Sequence, residues 1–162
     1  MRIFTATCST TLKMNHTISQ EVIINRNIDW LFDFTQNFVE RKKWDKQTKE
    51  IAFLDGFTTL AKGAKVYTES VEGIRMDTEY LTFKVPTEIS IKMLNRSSVF
   101  KCFVGAWNYI PIENEKTTLK ITYQFDLRFP YNLIKRTVLK KIKVNMTNKL
   151  NLLEDYLEKM EK

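Results

Sequence analysis

The sequence predicts an α+β domain in which an antiparallel sheet wraps around one long C-terminal helix. Three observations carry this. From about residue 49 to residue 129 the chain reads as strand after strand, each with apolar residues at every second position. After Pro130 the apolar period changes from two to 3.6 and holds almost to the C-terminus. Two short helical segments fall between the first strand and that run, which gives the order β-α-α-β-β-β-β-β-β-α.

The first strand is "TISQEVII", where Ile18, Val22 and Ile24 alternate with Ser19 and Glu21. Asn27 then offers a side-chain oxygen to an orphan amide of a first helical turn, and Asp29 suits the positive helix end. Ile28, Leu31 and Phe32 have helical spacing, so a short helix is expected over about 28–36. "FVERKKWDKQ" reads as a second short helix carrying Trp44. "EIAFLDG" is a strand ending in the Asp55-Gly56 turn, and "GAKVYTESV" and "IRMDTEYLTFKV" flank a compact hairpin turn at Glu72-Gly73. Pro86 interrupts the next connection because it cannot donate to a ladder. "TEISIKML" alternates Ile89, Ile91 and Met93.

The last two strands lie in "GAWNYIPIENEKTTLKITYQFDLRF", with Pro111 and "ENEK" expected between them. Trp107 and Tyr109 share one face of the first. Leu119, Ile121, Tyr123, Phe125, Leu127 and Phe129 share one face of the second. In the final helix Val138, Leu139, Ile142, Met146, Leu150, Leu153, Leu157 and Met160 project to one side, and Lys140, Lys143, Thr147, Asn151, Asp155 and Glu158 to the other.

The chain has 162 residues, 43% hydrophobic and 28% charged, enough for one domain with a real core. Cys8 and Cys102 are too far apart in sequence to suggest a disulfide framework or a zinc site, and the expected compartment is the reducing cytoplasm. His16 is the single histidine, which argues against a histidine metal site or a Ser-His-Asp triad. No metal and no cofactor is expected. No apolar run approaches the ~20 residues that span a bilayer. Residues 1–15 lack a period and read as a poorly ordered extension, with 16–162 as the domain. Ile3 to Cys8 is too short and threonine-rich for a signal-peptide core. Met14, just before the first strand, is a candidate natural start.

The element order and these residues together resemble the START-like helix-grip superfamily, which includes the polyketide cyclase/dehydrase family and lipid-transfer START domains. "VIINRNIDWLFDF" (Val22–Phe34) is similar to its first strand and following helix, and "RKKWDKQ" (Arg41–Gln47) to its short second helix. "YLTFKVPTEISIKML" (Tyr80–Leu94) is similar to its proline-broken strand pair, and "GAWNYIPIENEKTTLKITYQF" (Gly105–Phe125) to its last two strands. The likeness covers about 16–162. One departure is the last hairpin turn, "ENEK", where the family often has glycine. No position matches a catalytic set of the family's enzymes.

The resemblance implies a cavity between sheet and final helix that holds a small hydrophobic molecule. Candidate lining residues on the presumed inner faces are Tyr80, Ile89, Ile91, Phe103, Trp107, Tyr109, Tyr123 and Phe125, with Ile142 and Met146 on the helix. Trp44 would lie near the mouth in similar proteins; its plainer role is an anchor for its own helix. Aromatic residues on such faces also fill solid cores, and that alternative stays open.

The net charge is +7. Lys135, Arg136, Lys140, Lys141, Lys143 and Lys149 crowd the first two-thirds of the final helix, while Glu154, Asp155, Glu158 and Glu161 crowd its end, opposite to what the helix dipole prefers. An anionic membrane surface meeting Lys140, Lys141 and Lys143, or a solvated basic face, would account for this. Lys135 projects to the apolar side and is the candidate for a ligand's acidic group. Glu21, Glu69, Asp77, Glu79 and Glu88 read as surface carboxylates. The leading function is binding or transport of a small hydrophobic ligand, lipid or polyketide-like. The alternatives are a cyclase/dehydratase-type enzyme and a membrane-surface interaction module. No nucleic-acid motif is recognisable, so nucleic acid is not an expected partner. The sequence leaves the oligomeric state open.

Overall fold

The computed structural model describes residues 14–160. Residues 1–13, with Cys8, and residues 161–162 lie outside the described part, and so does most of the expected N-terminal extension. Seven strands and three helices follow in the expected order: β1 (His16–Ile24), α1 (Ile28–Gln36), α2 (Phe38–Trp44), β2 (Thr48–Phe53), β3 (Lys65–Ser70), β4 (Arg75–Lys84), β5 (Glu88–Met93), β6 (Phe100–Glu113), β7 (Lys116–Leu127) and α3 (Lys135–Met160). The strands form one antiparallel sheet in the order β1-β7-β6-β5-β4-β3-β2. β2 to β7 are a meander, and β1 crosses to pair with β7.

The two short helices are set by two asparagines. Asn27 Oδ1 accepts from the Trp30 amide at 2.9 Å and starts α1. Asn37 closes α1, its amide donating to the Asp33 carbonyl. It also opens α2, its Oδ1 accepting from the Val39 and Glu40 amides. A polar residue that both ends and starts a helix turns the chain sharply, and the pair packs with α1 on β6 and β7 and α2 on β2 and α3. In the β3–β4 turn Gly73 has φ +82°, a conformation that glycine adopts without strain.

Strand parity follows the alternation. Phe103, Trp107, Tyr109, Leu119, Ile121 and Phe125 are buried on the inner face. On α3 the buried stripe is Met146, Leu150, Leu153 and Leu157. Met160, expected on that stripe, is exposed because it is the helix's last residue. The apolar residues form two clusters. A large one joins α1, the sheet and the C-terminal half of α3. A smaller one gathers Met93, Phe100, Phe103, Phe125 and Leu127.

Two further readings are corrected. Pro111 lies inside β6 and not in the turn, which shrinks to Asn114 and Glu115. The proline is tolerated because β6 pairs with β5 only as far as Asn108, and because the β6–β7 register shifts between Pro111 and Glu113. Glu69 is buried and not a surface carboxylate. Lys49 donates to its Oε1 at 2.9 Å, the Tyr67 hydroxyl donates to its Oε2 at 2.8 Å, and Arg75 lies 3.5 Å away.

Leu153 is fully buried where α3 meets the large cluster. Leu153→Ala should lower unfolding stability by about 2–5 kcal/mol in urea denaturation with an unchanged m-value.

Candidate functional site: a cavity between sheet and C-terminal helix

A cavity of about 300 Å³ lies between the inner face of the sheet, α2 and α3. Its apolar wall includes Ile51, Val66, Ile89, Ile91, Phe103, Trp107 and Ile142. The β3–β4 turn, with Val71, Glu72 and Ile74, lies at its mouth beside α3, where Lys141 and Glu72 pair at 3.2 Å across the two. The volume corresponds to roughly ten waters at liquid density.

The space exists because the large side chains do not meet over this stretch. Gly105 on β6 contributes no side chain here, and Ile91 and Tyr123 of the neighbouring strands lie 3.4 Å from where its Cβ would stand. The stretch of α3 facing the cavity presents Ile142, Asn145 and Lys149, while Met146 turns into the solid core.

Three charges are buried at one side of this cavity. Asp45, the residue that ends α2, has a fully buried side chain. Its Oδ2 accepts from Arg41 Nε at 3.1 Å, from Lys149 Nζ at 2.5 Å and from the Thr48 hydroxyl at 2.8 Å. Arg41 and Asp45 meet because they stand four residues apart, one helical turn. Lys149 arrives from α3, its side chain 11% exposed. The Arg41 guanidinium lies over the Trp107 ring, 5.0 Å from its centroid. Among the described residues, three buried polar side-chain atoms have no hydrogen-bond partner: Gln36 Oε1, Trp44 Nε1 and Asp45 Oδ1.

Burial is the largest single influence on each proton affinity here, and for Asp45 and Arg41 their neighbours together outweigh it. Desolvation pushes the Asp45 carboxyl up, but Lys149 and Arg41 together overcome it and hold it well below the usual carboxylate range. Desolvation pushes the Lys149 ammonium down, and Arg41 adds to this; Asp45 opposes them only in part, leaving it at about 8. For Arg41 desolvation acts downward, yet Asp45 wins and the net shift is upward. Burial raises the Tyr80 and Tyr123 hydroxyls to about 12 against the opposing field of Arg41, so both stay neutral donors at neutral pH.

Of the residues expected from the sequence, Tyr80, Ile89, Ile91, Phe103, Trp107, Tyr123 and Ile142 stand on the cavity wall. Five do not. Trp44 is buried as an anchor of α2. Tyr109 packs edge-on against Phe32, and its hydroxyl meets Thr35 Oγ1 at 2.7 Å and accepts from Gln36 Nε2 at 2.8 Å. Phe125 sits among Phe100, Phe103 and His16 in the smaller cluster. Met146 belongs to the large cluster. Lys135 is exposed at the first residue of α3, ahead of the stretch that meets the sheet, which corrects its expected inward projection.

The ionic residues Arg41 and Lys149 were not among the expected site residues. A signal existed for Lys149. It lies seven residues after Ile142, three after Met146 and four before Leu153, so it falls on the apolar stripe.

No protein-family model matches this chain, and no curated protein matches it. Solved structures do match. The Zhui aromatase/cyclase of a Streptomyces species superposes with a TM-score of 0.76 at 13% identity, over 91% of this chain and 96% of that one. The di-domain aromatase/cyclase BexL of the BE-7585A biosynthetic pathway gives 0.72 at 10% identity over 88% of this chain. This chain spans 46% of BexL's length. A START superfamily protein of Mycobacterium smegmatis gives 0.68 at 12% identity, over 88% of this chain and 99% of that one. The chain therefore has the START-like helix-grip fold, a seven-stranded antiparallel sheet curved around a long C-terminal helix. At these identities the likeness concerns the fold. Among the described residues no helix is long and apolar enough to cross a membrane.

Two outcomes follow from the buried ionic cluster. Asp45→Asn leaves two buried cations without their anion and should cost about 3–5 kcal/mol in urea denaturation, whereas Lys149→Met removes the surplus cation and should leave stability unchanged or higher. The pH dependence distinguishes the wild type from Lys149→Met. Between about pH 8 and pH 10 the unfolded chain still holds the Lys149 proton, with an ordinary value of 10.5, and the folded chain has shed it. Wild-type stability should therefore rise relative to Lys149→Met across that window. Above about pH 10 the raised tyrosines act in the opposite direction, because their unfolded forms ionise first.

Proposed function

We propose that this protein binds and carries a small, largely apolar ligand, lipid or polyketide-like, in the cavity between its sheet and α3. The observation that supports it is a cavity of about 300 Å³ with a wall of isoleucine, valine and aromatic side chains, in a fold shared with aromatase/cyclases and a START protein. Transfer of each CH₂ from water into such a space contributes about 0.8 kcal/mol. The reading places the protein in the cytoplasm.

An exposed apolar and basic surface at the start of α3 supports an anionic membrane as the place of loading. Phe129 and Leu133 are 76% and 71% exposed in the β7–α3 connection, and Ile134 is exposed beside them. The Arg128 amide at the start of this connection donates to the Val99 carbonyl, next in the chain to Phe100 of the cavity wall. No acidic residue occurs between Arg128 and Leu153, while Lys135, Arg136, Lys140, Lys141 and Lys143 are all exposed. Exposed apolar side chains ringed by cations suit an anionic bilayer.

A second reading, a cyclase/dehydratase-type enzyme, draws on the polar groups that share the wall with the apolar residues: Arg41, Tyr80, Tyr123 and Lys149. The neutral, raised tyrosines favour hydrogen-bond donation over proton abstraction.

Native mass spectrometry of the protein purified from its own host, followed by organic extraction, tests the carrier reading. A small apolar compound at near-unit stoichiometry is expected, and Ile91→Trp, which fills the cavity, should lose it while remaining folded. Flotation with phosphatidylserine vesicles should exceed that with phosphatidylcholine vesicles and should fall for Lys140→Glu combined with Lys143→Glu. Equal flotation in all cases counts against the membrane surface.

A further inference from the structure

The cavity wall carries more positive charge than an apolar ligand needs. Arg41 and Lys149 both stand on it, and Asp45 alone lies between them, so the trio carries one surplus positive charge. The other carboxylates of the wall are answered elsewhere. Glu69 is held by Lys49, Tyr67 and Arg75, and Glu72 by Lys141.

The surplus is aimed. Arg41 commits its Nε to Asp45, and its two terminal nitrogens donate to nothing among the described residues. The guanidinium carbon lies over the Trp107 ring, 5.0 Å from its centroid, and Arg41 and Trp107 both line the cavity. Tyr80 is 4% exposed, and its hydroxyl has no hydrogen-bond partner among the described residues. The Tyr123 hydroxyl has none either, and both tyrosines lie within the electrostatic reach of Arg41 on the same wall. Unlike Gln36 Oε1, Trp44 Nε1 and Asp45 Oδ1, these donor atoms are not fully buried, so an acceptor can reach them. Three donor groups converging on one space, with net positive charge behind them, ask for an acceptor with one negative charge. A carboxylate answers all of this, because it accepts two bonds from a guanidinium and has lone pairs left for hydroxyls.

We infer that the cavity is a site for an amphipathic carboxylate, its carboxylate seated on Arg41, Tyr80 and Tyr123 and its hydrocarbon lying along Ile89, Ile91 and Ile142. This rests on the reading of the cavity as a ligand site and narrows the ligand to a class: one anionic head on a short apolar body. A neutral lipid of the same size would bury its tail equally well but leave the guanidinium unanswered. Asp45 and Lys149 act as positioning residues, fixing Arg41 without touching the ligand's head.

The test compares decanoate with decan-1-ol, which share a chain length and differ in the head, by isothermal titration calorimetry on the delipidated full chain at pH 7. Decanoate is expected to bind about tenfold tighter than the alcohol. Arg41→Gln should remove that preference while leaving decanol affinity in place. Tyr80→Phe combined with Tyr123→Phe should reduce the preference several-fold, and this second variant carries the test if Arg41→Gln does not fold. Equal wild-type affinities for the two probes would overturn the anionic subsite and leave the apolar cavity standing. Binding of neither probe would overturn both readings. A preference that survives removal of Arg41 or of both hydroxyls would overturn the assignment of these residues.

Discussion

Asp45 has one carboxylate for two buried cations, and much of the geometry around the cavity depends on it. Its Oδ2 ties Arg41 of α2, Lys149 of α3 and Thr48 of β2 to a single point. A second link lies beside it, where the Gln47 side chain, between α2 and β2, donates to the Asn145 carbonyl of α3 at 3.0 Å. A carboxylate removed from water survives there only because cations surround it, and the cations survive only because it is there. The balance is unequal, since two cations share one anion. Burial above all, with the neighbouring Arg41 adding to it, makes Lys149 hold its proton less firmly than a lysine in water, while the two cations keep Asp45 ionised.

That imbalance gives the cavity its polarity. A helix-grip fold buries the inner face of a sheet against one helix, and nothing in that arrangement requires a charge inside. Here the wall between α2 and α3 is ionic, and the wall made by β4, β5 and β6 is apolar. An amphipathic molecule meets both walls at once. Its tail gains from desolvation, and its head gains from donors that the fold leaves without partners.

The same aromatic-rich faces are used in two ways along their length. Near α1 they close into a solid core: Tyr109 packs on Phe32 and hands its hydroxyl to Thr35 and Gln36. At the other end Phe100, Phe103 and Phe125 fill the space beneath the start of α3. Between the two, facing Ile142, Asn145 and Lys149, the side chains stop short of one another. Tyr109 and Tyr123 lie on inner faces of neighbouring strands and read alike in sequence, yet one is satisfied by the protein and the other is not.

The sequence by itself determined the element order, the strand parity, the Asn27 cap and the long amphipathic helix. Each of these is written in local periods and in short-range hydrogen bonding, which act over a few residues. It also identified the faces from which the cavity is built, so Tyr80, Ile89, Ile91, Phe103, Trp107, Tyr123 and Ile142 were legible. What it did not determine is where along those faces the packing stops. Nor did it reveal that Arg41 and Lys149, 108 residues apart, share one buried carboxylate, or that Lys135 does not turn inward. Those are decided by distances between elements remote in the chain, and only the tertiary structure sets them, because packing and desolvation depend on which side chains meet and not on which are neighbours in sequence.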